Sequence, residues 1–182
     1  MMQKFLFAVA VSLAALVGVS QISVASAAEG DPVTAEQAAF DAKIGAIETL
    51  VLQYKDDPAG LQAAIEQYVA TSEDPEAAGN AVLFVFDNSN NPEVRALLAA
   101  NADLRAAMGQ GLGAAIAIIA LTNPDLATKM TANVVASGNA ELIASVQSGT
   151  DIKTASLNEQ NDTGDDDADN EDSTPENPAS AS

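Results

Sequence analysis

Apolar residues recur at intervals of three and four in three separate parts of the chain. Residues spaced in this way lie on one face of an α-helix. The pattern therefore predicts amphipathic helices, each of which must cover its apolar face with a neighbour. The three stripes consist of Phe40, Ile44, Ile47, Leu50, Val51 and Tyr54; of Leu61, Ile65, Tyr68 and Val69; and of Leu126, Met130, Val134 and Val135.

Seven short segments carry the polar residues that begin helices. In six of them Asp or Asn is followed by Pro or Ala, and residues 34–37, "TAEQ", have the spacing of a capping box. An Asp or Asn side chain accepts a hydrogen bond from a first-turn N–H that has no partner within the helix, and Pro fits the next position because it has no N–H. We therefore expect about seven helices, with starts at Thr34, Asp57, Asp74, Asn91, Asn101, Asn123 and Asn139.

The predicted fold is all-α, either a compact multi-helix bundle or a short stack of helical hairpins. The starts leave little room for long loops, so we expect consecutive helices to pair roughly antiparallel. Residues 81–86, "AVLFVF", are an exception because such an apolar run is also typical of a strand. We favour a helix here, since the sequence offers no second strand and a lone strand would leave its backbone groups unpaired.

Residues 109–124 form the least polar stretch after the N-terminal segment, and they begin with three closely spaced glycines. Gly109, Gly111 and Ala114 match a loosened dinucleotide-binding pattern, but that pattern binds phosphate only where a strand turns into a helix. The preceding residues instead continue a helical row, and the apolar run is short for a membrane span. We predict a central helix whose glycines admit a close neighbour. The row consists of Leu104, Met108, Leu112, Ile116 and Ile119.

The first 27 residues differ in kind from the rest. Lys4 is their only charge, residues 5–19 are apolar, and small residues follow in "VASAAEG". This is the pattern of a secretory signal, and the apolar part is shorter than the roughly 20 residues of a helical membrane span. We predict a signal peptide at 1–27, a flexible N-terminus at 28–33 and a helical domain at 34–157. The protein is then periplasmic or secreted, with no stable membrane span after cleavage; an uncleaved anchor is the alternative.

The C-terminal segment is acidic and almost free of apolar residues, so we predict a disordered tail at 158–182. Within it, residues 165–176 place acids where a calcium loop of the EF-hand kind has its ligands. However, Asn170 stands at the position of the turn-forming Gly, and Asp172 stands where an apolar residue normally joins the core. We expect only weak association of divalent cations, or contact with a basic partner.

The composition argues against several kinds of chemistry. The chain has no His and no Cys, and these residues supply the commonest general base, the commonest transition-metal ligand and the thiol nucleophile. A net charge of −19 without a cluster of Lys or Arg argues against nucleic-acid binding. We therefore assign no catalytic, cofactor-binding or metal-binding residue and no cofactor.

These observations favour an exported, non-enzymatic helical interaction or scaffold protein of the bacterial cell envelope, with a protein of the envelope as its partner. An exported chain without cysteine has no disulfide, which fits a bacterial envelope protein better than a small eukaryotic secreted module. In composition the chain resembles small, Ala-rich, Asn-Pro-punctuated exported helical proteins of Gram-negative bacteria. This resemblance implies no site residue.

Two other functions are alternatives. The first is a cell-wall glycoside hydrolase, because paired carboxylates alone can hydrolyse glycosidic bonds. Its candidate pairs are Asp56 with Asp57 and Glu73 with Asp74. The second is a protein that binds a small apolar ligand in a pocket between helices. Its candidate lining residues are Phe84, Phe86 and Met108.

Overall fold

The computed structural model describes residues 34–162, with side chains up to residue 160. Within this range the chain forms seven α-helices and no strand, so the all-α prediction is confirmed. Residues 81–86 are helical, as expected. The helices are α1 (Ala35–Gln53), α2 (Pro58–Ala70), α3 (Pro75–Asn88), α4 (Pro92–Ala100), α5 (Ala102–Thr122), α6 (Pro124–Ala136) and α7 (Ala140–Asp162).

Several predictions fall wholly or partly outside the described residues. The signal peptide at 1–27, the flexible N-terminus at 28–33 and the acidic loop at 165–176 lie entirely outside them. The predicted tail at 158–182 lies partly inside, because α7 continues through its first residues and ends at Asp162. The last helix therefore extends beyond residue 157, where we predicted that the helical domain ends.

All seven predicted helix starts are confirmed. In each, a side-chain oxygen accepts a hydrogen bond from a backbone N–H two or three residues further along, which gives a partner to a first-turn donor. Asp74, for example, accepts from Ala77 N at 3.0 Å. The capping residues are Thr34, Asp57, Asp74, Asn91, Asn101, Asn123 and Asn139.

α5 is the central helix of the bundle, as the apolar row predicted. Every member of that row is buried, and α5 packs most extensively against α7 and α2. The helix has the length and apolarity of a membrane span, but 67% of its most apolar 18-residue window is buried within the protein. α5 therefore acts as a core helix in this fold. The buried row is Leu104, Met108, Leu112, Ile116 and Ile119.

Glycines bring the backbones of α5 and α7 close together. A Cβ atom placed on Gly113 would lie 2.8 Å from the backbone N of Thr150, and one on Gly149 would lie 2.6 Å from Cα of Gln110. Cβ atoms do not approach backbone atoms so closely in real structures. The two helices therefore pack as they do only because both positions lack a side chain.

A third glycine, Gly111, lies at the close contact on the other side of α5. A Cβ atom on Gly111 would lie 2.6 Å from the carbonyl oxygen of Gln62 and 2.8 Å from Cβ of Ile65, both on α2. The prediction that the glycines admit a close neighbour is thus confirmed, with two neighbours on opposite faces. This arrangement places α5 between α2 and α7.

α5 and α7 run parallel, although the sequence led us to expect antiparallel pairs of consecutive helices. Arg105 pairs with Glu141 at 2.6 Å, and further along both helices the Thr150 hydroxyl donates to the carbonyl oxygen of Gly113 at 3.1 Å. Residue numbers rise together along the two helices, so their directions are the same. The expectation concerned consecutive helices and does not apply to this pair, which is the most extensive one in the bundle.

The short connections explain why sequence neighbours do not form the main pair. Asn101 alone joins α4 to α5, and Asn123 alone joins α5 to α6. Helix connections in bundles usually take about two to eight residues. A connection of one residue is too short to lay the two joined helices side by side along their whole length. The central helix instead pairs with α7, which α6 brings back to it.

A partly buried hydrogen bond joins α1 to the connection between α3 and α4. Ser89 is only 2% exposed, and its hydroxyl donates to Glu48 Oε1 at 2.6 Å. The backbone N–H of Asn91 donates to the same oxygen at 3.3 Å. One oxygen of a partly buried carboxylate therefore accepts from two donors.

We expect Glu48→Ala to lower the free energy of unfolding by about 1 kcal/mol, because the Ser89 hydroxyl loses its shortest hydrogen bond and keeps only the Asn91 carbonyl oxygen at 3.4 Å as an acceptor. Glu48→Gln keeps a side-chain oxygen and should lose less. Urea denaturation followed by far-UV circular dichroism measures both variants. Equal losses in the two would show that the acceptor oxygen is not what stabilises this connection.

Candidate functional site

A large apolar surface groove is formed by α5, α6 and α7. It has a volume of about 850 Å³, within the roughly 300–1,000 Å³ typical of ligand sites. The C-terminal half of α5 forms the floor, and α6 and the C-terminal half of α7 form the walls. The lining residues are Ile116, Ala117, Ala120, Leu121, Pro124, Ala127, Thr128, Thr131, Ala132, Val135, Ala136, Thr150, Thr154, Leu157 and Asn158.

The groove is open because α6 is anchored on its other side, to α3. Lys129 Nζ lies 2.8 Å from Glu76 Oε2, and the Asn133 side-chain amide donates to Asn80 Oδ1 at 3.1 Å. The contacts of α6 with α7 are much less extensive than those of α5 with α7. These contacts with α3 lie on the side of α6 away from the groove, and the space between α6 and the end of α7 is left uncovered.

The rim of the groove exposes large apolar side chains. Leu121 is 66% exposed and Val135 is 58% exposed, and both line the groove. The third large hydrophobic residue with high exposure in the described part of the chain, Ile152, is also 58% exposed but does not line it. Exposed apolar residues that share one concave surface mark an interaction site more strongly than isolated ones do.

The lining is uncharged and its hydroxyl groups are largely engaged. None of the fifteen lining residues is Asp, Glu, Lys or Arg. Thr128 and Thr131 each donate their hydroxyl to the carbonyl of the residue four positions earlier in the same helix, and the Thr150 hydroxyl lies between the carbonyl oxygens of Val146 and Gly113, with both within hydrogen-bond distance. With the hydroxyl bonded to the backbone, a threonine presents less unsatisfied polarity to a ligand. The groove therefore favours apolar groups.

The apolar pattern of the sequence does not predict this groove. Val135 belongs to the third apolar stripe, which predicts that a neighbouring helix covers it, but it is exposed. The other members of that stripe, Leu126, Met130 and Val134, pack in or against the core. The sequence did contain one signal of the groove. Small residues form a row on α6 beside the stripe, and such a row leaves room for a further helix.

The residues proposed for an apolar pocket lie elsewhere. Met108 and Phe86 are buried in the core, where they contact other apolar side chains. Phe84 is partly buried, and its ring meets that of Phe40 edge-on at a centroid distance of 6.4 Å. These three residues therefore do not line the groove of α5, α6 and α7.

The candidate carboxylates of the hydrolase alternative serve as helix caps or lie beside them. Asp57 accepts from Gly60 N at 2.9 Å at the start of α2, and Asp74 has the same role in α3. Their sequence neighbours Asp56 and Glu73 are exposed. Capping accounts for the positions of Asp57 and Asp74 without a role in catalysis.

One titratable side chain outside the groove has a shifted pKa. Tyr68 on α2 is half-buried against the core, and this burial raises the pKa of its hydroxyl. Among the described residues there is also no group of three or more acidic side chains placed to hold a metal ion.

Comparison of the chain with protein-family models, curated proteins and solved structures found no significant match.

Proposed function

We propose that this protein is a non-enzymatic interaction protein of the bacterial cell envelope, which binds an apolar surface of its partner in the groove of α5, α6 and α7. The observation that carries the proposal is the groove itself, an uncharged concave surface with exposed Leu121 and Val135 in a chain of net charge −19. An apolar contact gains about 25 cal/mol for each Å² removed from water.

The rest of the chain supports this proposal. Residues 1–27 have the pattern of an export signal. The chain lacks His and Cys, and the two capping aspartates of the candidate carboxylate pairs already have structural roles. A binding surface accounts for the exposed apolar rim, which a hydrolase would not require.

Val135→Asp tests the proposal, because it places a charge on the rim of the groove where the partner must exclude water. The side chain is exposed, so the free energy of unfolding should change by only about 0.5 kcal/mol. We expect immobilised Val135→Asp protein to lose the envelope proteins that the wild-type protein retains. Quantitative mass spectrometry of the retained proteins measures this loss.

Ile152→Asp is the matched control. Ile152 has the same 58% exposure as Val135 and lies on α7, but it does not line the groove. This variant should retain the same proteins as the wild-type chain. If Val135→Asp and Ile152→Asp retain the same set, the groove is not the binding surface.

A further inference from the structure

We infer that the groove of α5, α6 and α7 holds a fatty acyl group that is covalently attached to the partner protein. This inference rests on the proposed function, and it names the part of the partner that enters the groove. It follows from the size and shape of the groove, from its uncharged lining and from the acidic residues beside it.

The groove is too small to serve as a protein–protein interface by itself. The exposed surface inside it is much smaller than the about 800 Å² that each partner buries in a typical stable interface. A second copy of this chain, or a folded partner that met only the groove, would therefore gain little from it. An acyl chain needs less surface, because every methylene group removed from water strengthens binding about fourfold.

The groove has a shape that suits an extended acyl chain. Its lining runs along the full length of α6, Pro124–Ala136, which corresponds to about 20 Å at 1.5 Å per residue. The acyl chains of one bilayer leaflet span about 15 Å, half of the hydrocarbon core. Ile116 and Ala117 on the floor are buried, whereas Leu121 and Val135 are exposed at the rim. The groove therefore has the length for one acyl chain and offers it an apolar floor and rim.

The charges beside the groove disfavour an anionic ligand. Asp125 on α6 and Asp151 on α7 each lie three residues before a lining threonine of the same helix, so each carboxylate neighbours the lining. Both aspartates are exposed, and neither has an ion-pair partner among the described residues. The carboxylate of a free fatty acid or the phosphate of a phospholipid would be repelled by these charges.

The lysines of the two walls do not offset this repulsion. Lys129 Nζ lies 2.8 Å from Glu76 Oε2, and Lys153 Nζ lies 2.7 Å from Glu66 Oε1. Each ammonium group is therefore already paired with a carboxylate of a neighbouring helix. An acyl group that is joined to a protein through an amide or ester has no charge at its carbonyl end, so it avoids the repulsion that a free fatty acid would experience.

The α7 wall supplies neutral hydrogen-bonding groups for such a carbonyl. Thr150, Thr154 and Asn158 recur every four residues and therefore lie along one face of the helix. Thr154 and Asn158 are exposed, and neither side chain makes a hydrogen bond within the described part of the chain. The Thr154 hydroxyl and the Asn158 amide can therefore donate to an amide or ester carbonyl without bringing a charge.

Two uncharged peptides of Gly and Ser test the inference, one with an N-terminal palmitoyl group and one with an N-terminal acetyl group. The protein is expressed from its complete sequence and purified after export. Isothermal titration calorimetry measures binding below the concentration at which the palmitoyl peptide forms micelles. We expect the palmitoyl peptide to bind at least about a hundredfold more tightly than the acetyl peptide. Palmitate should bind at least about tenfold more weakly than the palmitoyl peptide, because it carries a carboxylate.

Two sets of variants locate the contacts. Val135→Asp should weaken binding of the palmitoyl peptide at least about tenfold, while Ile152→Asp leaves it unchanged. Asp125→Asn combined with Asp151→Asn should strengthen palmitate binding at least about threefold and leave the palmitoyl peptide unchanged. An equal effect of this double change on both ligands would show that the acidic border does not select a neutral acyl group.

The proteins retained from the envelope distinguish this inference from the proposed function. Mass spectrometry of those that the wild-type chain retains and Val135→Asp loses should find peptides that carry a fatty acyl group. If these proteins carry none, or if the palmitoyl and acetyl peptides bind alike while retention still depends on Val135, the acyl occupant is wrong and the protein-binding groove stands.

Three other outcomes would also overturn the inference. If a free lipid binds in a Val135-dependent way and no protein is retained, the partner is a lipid, and the proposed protein partner fails as well. A dimer that Val135→Asp dissociates would identify a second copy of this chain as the occupant. If no ligand and no retained protein distinguishes Val135→Asp from Ile152→Asp, the groove itself is refuted as a binding site.

Discussion

Gly113→Ala is expected to destabilise the protein by about 3 kcal/mol or to prevent its folding, because overpacking of a tightly packed interior typically costs about 1–3 kcal/mol and sometimes more. The new methyl group would lie 2.8 Å from the backbone N of Thr150 and even closer to the carbonyl of Val146. Backbone atoms in the middle of a helix cannot rotate away as a side chain can. α5 and α7 would have to separate, which would also break the bond from the Thr150 hydroxyl to the Gly113 carbonyl.

Gly45→Ala is the matched control for this prediction. Gly45 also lies within a helix, but it is exposed, and a Cβ atom there would meet nothing within 4 Å. Alanine favours the helix over glycine by about 1 kcal/mol in this setting, so the variant should be slightly more stable. Urea denaturation compares the two variants. A Gly113→Ala protein as stable as the wild type would mean that α5 and α7 are not in backbone contact.

Met108→Ala should lower the free energy of unfolding by about 2–5 kcal/mol, because it removes a fully buried side chain and leaves a cavity. Met108 is 0% exposed in the core row of α5. The result distinguishes a filled core from an interior that contains an empty ligand pocket. If Met108 lined an empty ligand pocket, its truncation would remove few contacts and cost little, whereas truncation in a filled core is costly.

Leu121→Ala provides the comparison for Met108→Ala. Leu121 is on the same helix but is 66% exposed on the rim of the groove. Its truncation should change the free energy of unfolding by no more than about 0.5 kcal/mol, as is usual for a surface position. Calorimetric unfolding measures the change in the free energy of unfolding for both variants. Similar losses in the two variants would contradict the assignment of one residue to the core and the other to the surface.

Local chemistry made the helix boundaries predictable. A capping residue acts on N–H groups two or three positions away, and Pro acts on its own position, so both effects are contained in a few adjacent residues. Asn91 followed by Pro92 marks the start of α4 in the sequence as clearly as in the structure, where Asn91 Oδ1 accepts from Glu93 N at 3.0 Å. The acidic composition at the end of α7 carries no such signal, so the predicted domain boundary at residue 157 is five residues short of the helix end at Asp162.

Packing between distant helices was less predictable. Gly109 and Gly113 have a spacing of four residues, as do Ser145 and Gly149, and this small-residue spacing suits close helix contact. The glycines of α5 alone indicated a close neighbour, but the matching pair on α7 is more than thirty residues away in sequence. Periodicity describes one helix at a time and does not say which two faces meet.

Periodicity also does not predict whether a single residue of an apolar stripe is covered, as the groove shows. Val134 and Val135 are neighbours on one predicted stripe, yet Val134 is buried and Val135 is exposed. Their chemistry is identical. The difference arises because consecutive residues point about 100° apart on a helix: Val134 faces the core, whereas no described helix covers the side of α6 that carries Val135.

The sequence by itself determined the number of helices, where each begins and the central position of α5, because these depend on hydrogen bonds and apolar spacing within short segments. The tertiary structure decided that α7 runs parallel to α5, that glycines admit it, and that α6 leaves a groove open beside them. Those features depend on steric fit between residues far apart in the chain, and such fit exists only once the helices have packed.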